Sequence, residues 1–199
     1  MATATLMPPP LTPQRLKKFT VAEYERLHAS GFLSPKDRCE LLRGFLVEKP
    51  PMNPPHATAL SQLHMQLLGL LGLNACVRAQ MPVRLADSVP LPDLVWADGA
   101  FPDYATTHPT PKQIRLLVEV AESSLAEDRG SQLELYAENK IGVYWIVNLL
   151  DGIVEVYTQP RGGKRPTYRA RTDYAAGQVV PVVLGGKQVG TIPVSEILP

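Results

Sequence analysis

Ile114-Arg115-Leu116-Leu117-Val118-Glu119-Val120 is an apolar run interrupted by one arginine and one carboxylate. Its density of Leu and Val reads as a central strand with both faces buried. Downstream, Leu125 to Lys140 reads as a long helix with Leu133 and Tyr136 on one side, and Val143 to Asn148 as another buried strand. A helix between two such strands acts as a crossover and sets them parallel in one sheet. Asp151-Gly152 then supplies a hairpin turn that brings Ile153 to Tyr157 back alongside.

The same patterns extend toward both ends. Cys76 to Leu85 reads as a strand broken or bulged at Pro82, and Leu91 to Trp96 as a second strand. His56 to Leu73 carries Leu60, Leu63, Leu67, Leu68 and Leu71 at helical spacing. Glu40 to Glu48 reads as two short strands around a turn at Arg43-Gly44. Thr20-Val21-Ala22-Glu23 is a capping box that opens a helix running to about Ala29, where Ser30-Gly31 stops it. From Tyr168 onward come short strand-like pieces separated by Gly and Pro. The expected class is mixed α/β, with a proline-rich arm over 1–18 and a single domain over 19–199.

Bulk properties exclude several classes of function. Apolar residues make up 45% of 199, enough for a packed core. The net charge of +1 excludes a chain that coats nucleic acid through a global positive field, so any such contact is local. Cys39 and Cys76 are too few and too far apart for a disulfide framework or a zinc site, and read as reduced thiols. The apolar stretch near Leu67 to Leu73 is too short to span a bilayer, and the N-terminus lacks the pattern of a signal peptide. The expectation is a cytoplasmic chain with no membrane segment.

Two carboxylates stand out by position. Asp93 follows Pro92 at the start of a strand, and Glu119 lies inside the most apolar strand. A charge there is costly to bury without compensation, and two neighbouring carboxylates repel unless a cation lies between them. A divalent ion such as Mg²⁺ or Mn²⁺ resolves the conflict. It also favours phosphodiester hydrolysis, by acidifying a water and offsetting phosphate charge. The plainer alternative is that Asp93 caps a turn and Glu119 ends its strand in solvent.

The ordered set Leu91-Pro92-Asp93-Leu94-Val95, Leu117-Val118-Glu119-Val120, Asp128-Arg129, Tyr136-Ala137 and Tyr144-Trp145-Ile146-Val147 resembles the putative restriction endonuclease family. This is the Uma-type branch of the PD-(D/E)XK nuclease superfamily. Phe19 to Tyr24 is similar to the family's opening helix, Glu40-Leu41-Leu42-Arg43-Gly44 to its glutamate-bearing turn, and His56 to a histidine that often opens its first long helix. The resemblance implies a restriction-endonuclease-like central mixed sheet flanked by helices. It implies a Mg²⁺- or Mn²⁺-dependent DNA endonuclease, with Asp93 and Glu119 as catalytic acids and metal ligands and Glu40 as a further ligand. A homodimer is expected by analogy. One departure stands out: the lysine that completes such sites would fall four residues after Asp128, and that residue is Gln132. Glutamine can position a water but carries no positive charge. A catalytically impaired protein that binds nucleic acid or a protein partner is therefore the alternative function.

Other features read more plainly. His56 and His64 are eight residues apart, too far for a helical metal pair. Ser123-Ser124 reads as a turn or cap, Tyr144 and Trp145 as core, and Lys140 as a solvated helix end. Glu122 is either a further site acid, if the chain turns after Ala121, or is aimed away from the site by strand alternation. Arg161, Lys164, Arg165, Arg169 and Arg171 form the densest basic cluster, either a phosphate-contacting loop or a solvated hairpin tip.

Overall fold

The computed structural model describes residues 16–199, so most of the expected N-terminal arm lies outside the described residues. A six-stranded mixed sheet forms the centre, in the order β3-β4-β5-β6-β7-β8. Its strands are β3 (Cys76–Ala79), β4 (Leu94–Ala97), β5 (Ile114–Ala121), β6 (Val143–Asn148), β7 (Ile153–Arg161) and β8 (Thr167–Ala175). Only β5 and β6 pair in parallel, as the crossover between them requires; every other pair is antiparallel.

Strand alternation sorts β5 onto two cores. Val118 and Val120 face α2 (Pro54–Leu71), whose Leu60, Leu63 and Leu67 pack beneath them. Burying one such leucine contributes about 1.5–3 kcal/mol. Leu117 and Ala121 face the other side, against Leu133, Tyr136 and Ala137. A separate C-terminal hairpin, β9 (Val179–Leu184) and β10 (Lys187–Pro193), adds Val180, Val182 and Ile192 to the α2 side. Cys39 and Cys76 are free thiols. Among the described residues no helix is long and apolar enough to cross a membrane.

A third, smaller cluster joins α1 (Val21–Ala29) to the hairpin of β1 (Cys39–Leu42) and β2 (Phe45–Glu48). The capping box expected at Thr20 and Glu23 is present. Arg43 and Gly44 both adopt left-handed φ, +50° and +87°, as a two-residue hairpin turn demands. A side chain at Gly44 would also press on Lys18, because Phe19 N–H donates to Gly44 O at 2.8 Å.

Two elements differ from the sequence expectation. The strand begun at Cys76 ends at Ala79, and Gln80 takes φ +52°, so the chain leaves the sheet before Pro82. The expected long helix from Leu125 is broken into α3 (Leu125–Glu127), a π turn over Asp128–Gln132, and α4 (Leu133–Glu138). Gly130 carries the break, with φ −108° and ψ −106°. Its missing Cβ permits a backbone that other residues resist, and such turns within helices often accompany functional sites.

Candidate active site

Asp93 immediately precedes β4, and the Leu94–Val118 register of β4 with β5 sets it opposite Glu119. The two residues hold each other in place. Asp93 N–H donates to Glu119 Oε2 at 3.1 Å, and Val120 N–H donates to Asp93 Oδ2 at 2.9 Å. Glu119 lies on the face of Leu117 and Ala121, where the Tyr136 hydroxyl of α4 donates to its Oε1 at 2.7 Å. Both acids are buried. They stand on the floor of an open cavity of about 510 Å³ between the β1–β2 hairpin, the start of α2 and the π turn.

The two carboxylates share one cation from an unexpected element. Lys49 lies just past β2, and its ammonium donates to Asp93 Oδ1 at 3.0 Å and to the Leu91 carbonyl at 2.7 Å. The same nitrogen lies 3.5 Å from Glu119 Oε2. Burial disfavours charge on Lys49, but Glu119, Asp93 and Glu40 outweigh it and keep the ammonium protonated. Burial also pushes Asp93 up, but His56 and Lys49 hold its carboxyl well below the ordinary range. Glu119 goes the other way: its complete burial outweighs Lys49 and raises it well above the ordinary range. One acid ionised and one protonated is the usual outcome for close carboxylates with a single compensating charge.

The remaining candidates line the same cavity. Glu40 is buried rather than half-exposed, and its Oε2 accepts from Leu91 N–H at 2.7 Å. Burial raises it above the usual carboxylate range. Gln132 lines the wall beside Asp128, and its buried Oε1 has no hydrogen-bond partner. His56, near the start of α2, brings Nε2 within 3.1 Å of Asp93 Oδ2, though the ring is not aligned for a good hydrogen bond. Glu122 also reaches the cavity, against the expectation from alternation. The chain turns after Ala121, and Asn53 donates to its carboxylate. Ser124 stands at the N-cap position expected of it, but its hydroxyl makes no cap hydrogen bond and donates to Asp128 Oδ2 at 2.7 Å instead. Tyr144 and Trp145 are core residues. In the basic cluster, Arg171 is engaged by Asp173 at 2.7 Å, whereas Lys164 and Arg165 are exposed near the hairpin tip.

Lys49 is what the sequence did not announce, whereas His56 had stood out by its likeness to the family's helix-opening histidine. Lys49 sits between a short strand and three prolines, a context that reads as solvated loop.

The chemistry of the lining fits a divalent ion. Seven acidic residues border the cavity, Glu40, Glu48, Asp93, Glu119, Glu122, Glu127 and Asp128, against Lys49 and His56. A phosphate would be repelled there unless a cation came with it. Lys49 Nζ already marks a point that oxygens of both floor acids reach. Among the described residues no three His, Cys, Asp or Glu side chains are spaced to grip one ion. The chain thus offers a pair of carboxylates, Asp93 and Glu119, as the residues that would hold such an ion.

Asp128 gives this site a pH signature. Burial pushes its carboxyl up to about 7, partly opposed by the Ser124 hydroxyl and reinforced by Asp93. A raised acid holds its proton more tightly when folded. Its stabilising contribution is full below the ordinary carboxylate range and is lost as pH rises through about 7. Asp128→Asn keeps an acceptor for Ser124 without the charge. In metal-free buffer it should gain about 1–3 kcal/mol over the wild type at pH 8 and little at about pH 4. Melting curves at the two pH values check this, and a difference that does not grow with pH refutes it.

Comparison with known proteins agrees with this geometry. No match was found among curated proteins. The crystal structure of a putative nuclease belonging to DUF820 from Anabaena variabilis superposes with a TM-score of 0.67 at 13% identity, over 90% of this chain and 97% of that one. At that identity the likeness shows the fold alone, a mixed α/β architecture around a central mixed sheet, as the sequence implied. The family model Uma2, described as Putative restriction endonuclease, matches residues 21–189. With that match spanning most of its length, the chain belongs to the Uma2 putative restriction endonuclease family.

Proposed function

We propose that this protein is a Mg²⁺- or Mn²⁺-dependent DNA endonuclease acting through the cavity floored by Asp93 and Glu119. The observation that carries the reading is the pair itself: two buried carboxylates at neighbouring points of the sheet, Glu119 held by the Asp93 amide and Asp93 by the Val120 amide, with oxygens converging on one cationic point. Asp93 and Glu119 would hold the divalent ion, with Glu40 and Asp128 adding negative potential around it. When bound, that ion lowers the pKa of a water and offsets charge building on the phosphate.

The chain's own residues do the rest. Tyr136 fixes the rotamer of Glu119 through a 2.7 Å hydrogen bond. Val120 N–H fixes Asp93, and Ser124 fixes Asp128. Gln132, with an unsatisfied buried oxygen, is placed to accept a hydrogen bond from the attacking water. In the reaction the water oxygen bonds to phosphorus and the bond from phosphorus to the sugar oxygen breaks. The water's proton passes to solvent, and the departing oxygen takes up a proton. Duplex DNA would be cut on both strands by a homodimer, each protomer supplying one such cavity.

The test is conversion of supercoiled plasmid to nicked and linear forms by the pure protein in Mg²⁺ or Mn²⁺, with chelator as control. Cleavage that persists in both Asp93→Ala and Glu119→Ala would overturn the site. Salt-sensitive DNA retention without cleavage would instead favour the impaired-binder alternative.

A further inference from the structure

Lys49 and Gln132 line the same cavity from different parts of the chain, but only Lys49 contacts the two acids and brings a charge. Lys49 is held at the base of the hairpin, where its N–H donates to Arg38 O at 3.0 Å. Its side chain is mostly buried and satisfied by Leu91 O and Asp93 Oδ1. It stands where the acid cavity meets a smaller one, of about 260 Å³, that it lines together with Arg38, Gln80 and Leu91.

We propose that Lys49, delivered by the β1–β2 hairpin, is the catalytic lysine of this chain and contacts the scissile phosphate in place of the residue at position 132. The proposal rests on the nuclease reading above. Three observations support it. The Lys49 ammonium already lies within 3.5 Å of both floor acids. Gln132 has no polar partner that ties it to either acid. Arg38 on the next cavity continues a positive path beyond Lys49, so a phosphodiester strand over the acids meets one cation and then a second.

Asp93 and Glu119 would hold the divalent ion, and the four-carbon stem of Lys49 would let its ammonium reach a non-bridging phosphate oxygen. There it donates hydrogen bonds to the oxygen on which charge accumulates, without giving up its proton. The bonds made and broken are those of the hydrolysis already described, and Lys49 ends the step unchanged.

The experiment compares wild type, Lys49→Met, Lys49→Arg and the double variant Lys49→Met/Gln132→Lys by two readouts. The first is the plasmid cleavage rate in Mn²⁺. The second is the salt dependence of binding to a short fluorescent DNA duplex in Ca²⁺. Lys49→Met should cut slower by about 100-fold or more, and adding Gln132→Lys should recover at least about tenfold of that. The slope of log affinity against log salt should fall by about 0.9 in Lys49→Met, the signature of one lost phosphate contact. Cleavage by Lys49→Met within threefold of wild type would overturn Lys49 and leave the nuclease reading standing. If wild type does not cleave, that reading has failed, and the salt slope alone decides: an unchanged slope overturns Lys49 as a phosphate contact. Should Lys49→Met not fold, Lys49→Arg decides. A planar fork cannot reproduce a point charge, so a rate at least fivefold below wild type is expected and an unchanged rate overturns the proposal.

Discussion

Glu119→Gln should lower plasmid cleavage by about 10³-fold or more, which is about 4 kcal/mol of transition-state stabilisation, while leaving the protein no less stable at pH 8. The activity loss follows from removing one of only two carboxylates placed to share the cation, in a cavity where no third ligand stands by among the described residues. The stability follows from what the carboxylate does in the fold. It is completely buried, and burial raises it well above the ordinary range despite Lys49. An amide of the same shape still offers an oxygen to Asp93 N–H, keeps a polar atom near the Tyr136 hydroxyl, and sheds the desolvation of an acid. Parallel measurement of nicking rate and melting temperature separates the two effects. A variant that keeps a tenth of the activity removes Glu119 from the site, and one that melts well below wild type removes the electrostatic account.

Glu155→Ala should have the largest effect on stability, a loss of about 3 kcal/mol. Glu155 lies on β7 with no exposure at all. Its carboxylate collects Arg129 Nε at 3.1 Å, Asn148 Nδ2 at 2.9 Å and the Tyr157 hydroxyl at 2.6 Å, with Arg171 at 3.4 Å. Burial works against its charge, but Arg129, Tyr157 and Asn148 hold it below the usual range. Truncation leaves these donors without an acceptor. Both arginines reach solvent, which keeps the cost near the lower end for a broken buried pair. A urea midpoint that falls at constant slope checks it, and a midpoint that hardly moves refutes it. Arg129 adjoins Asp128, so the variant should also lose activity as the π turn loosens.

The central architecture was legible because burial writes itself into composition. The Ile114 run and the Val143 strand are apolar on both faces because helices or the hairpins cover both, and the helix between them forced the parallel pairing. Asp93 and Glu119 were legible for the converse reason: a carboxylate in such a strand needs compensation. What stayed hidden was set by tertiary geometry. The Leu125 helix has acceptable helical spacing on either side of Gly130, and that pattern outweighs the glycine, the one local mark of the break. Glu122 escaped strand alternation because the strand had ended one residue earlier. Lys49 had no local signature, since its partners lie 44 and 70 residues away. The one usable hint was a matter of charge balance: several acids gathered around one site call for a positive group, and Gln132 could not provide it.

The β1–β2 hairpin belongs to neither face of the six-stranded sheet. It is moored to the 80s loop through the mutual Leu41–Val89 backbone bonds and the Arg43 amide, which donates to the Ser88 hydroxyl, and to α1 through the Tyr24 hydroxyl, which donates to Cys39 O. A small cluster of Val21, Tyr24, Leu33, Leu41 and Val89 is its main apolar anchor, and Leu42 alone reaches the larger cluster over the sheet. Elements secured so lightly can detach as a unit well before the body of a protein melts. The acids are thus built into the frame, while their counter-charge rides on a hinged piece. Warmth or mild denaturant that merely lifts the hairpin would disarm the molecule while its frame stayed intact.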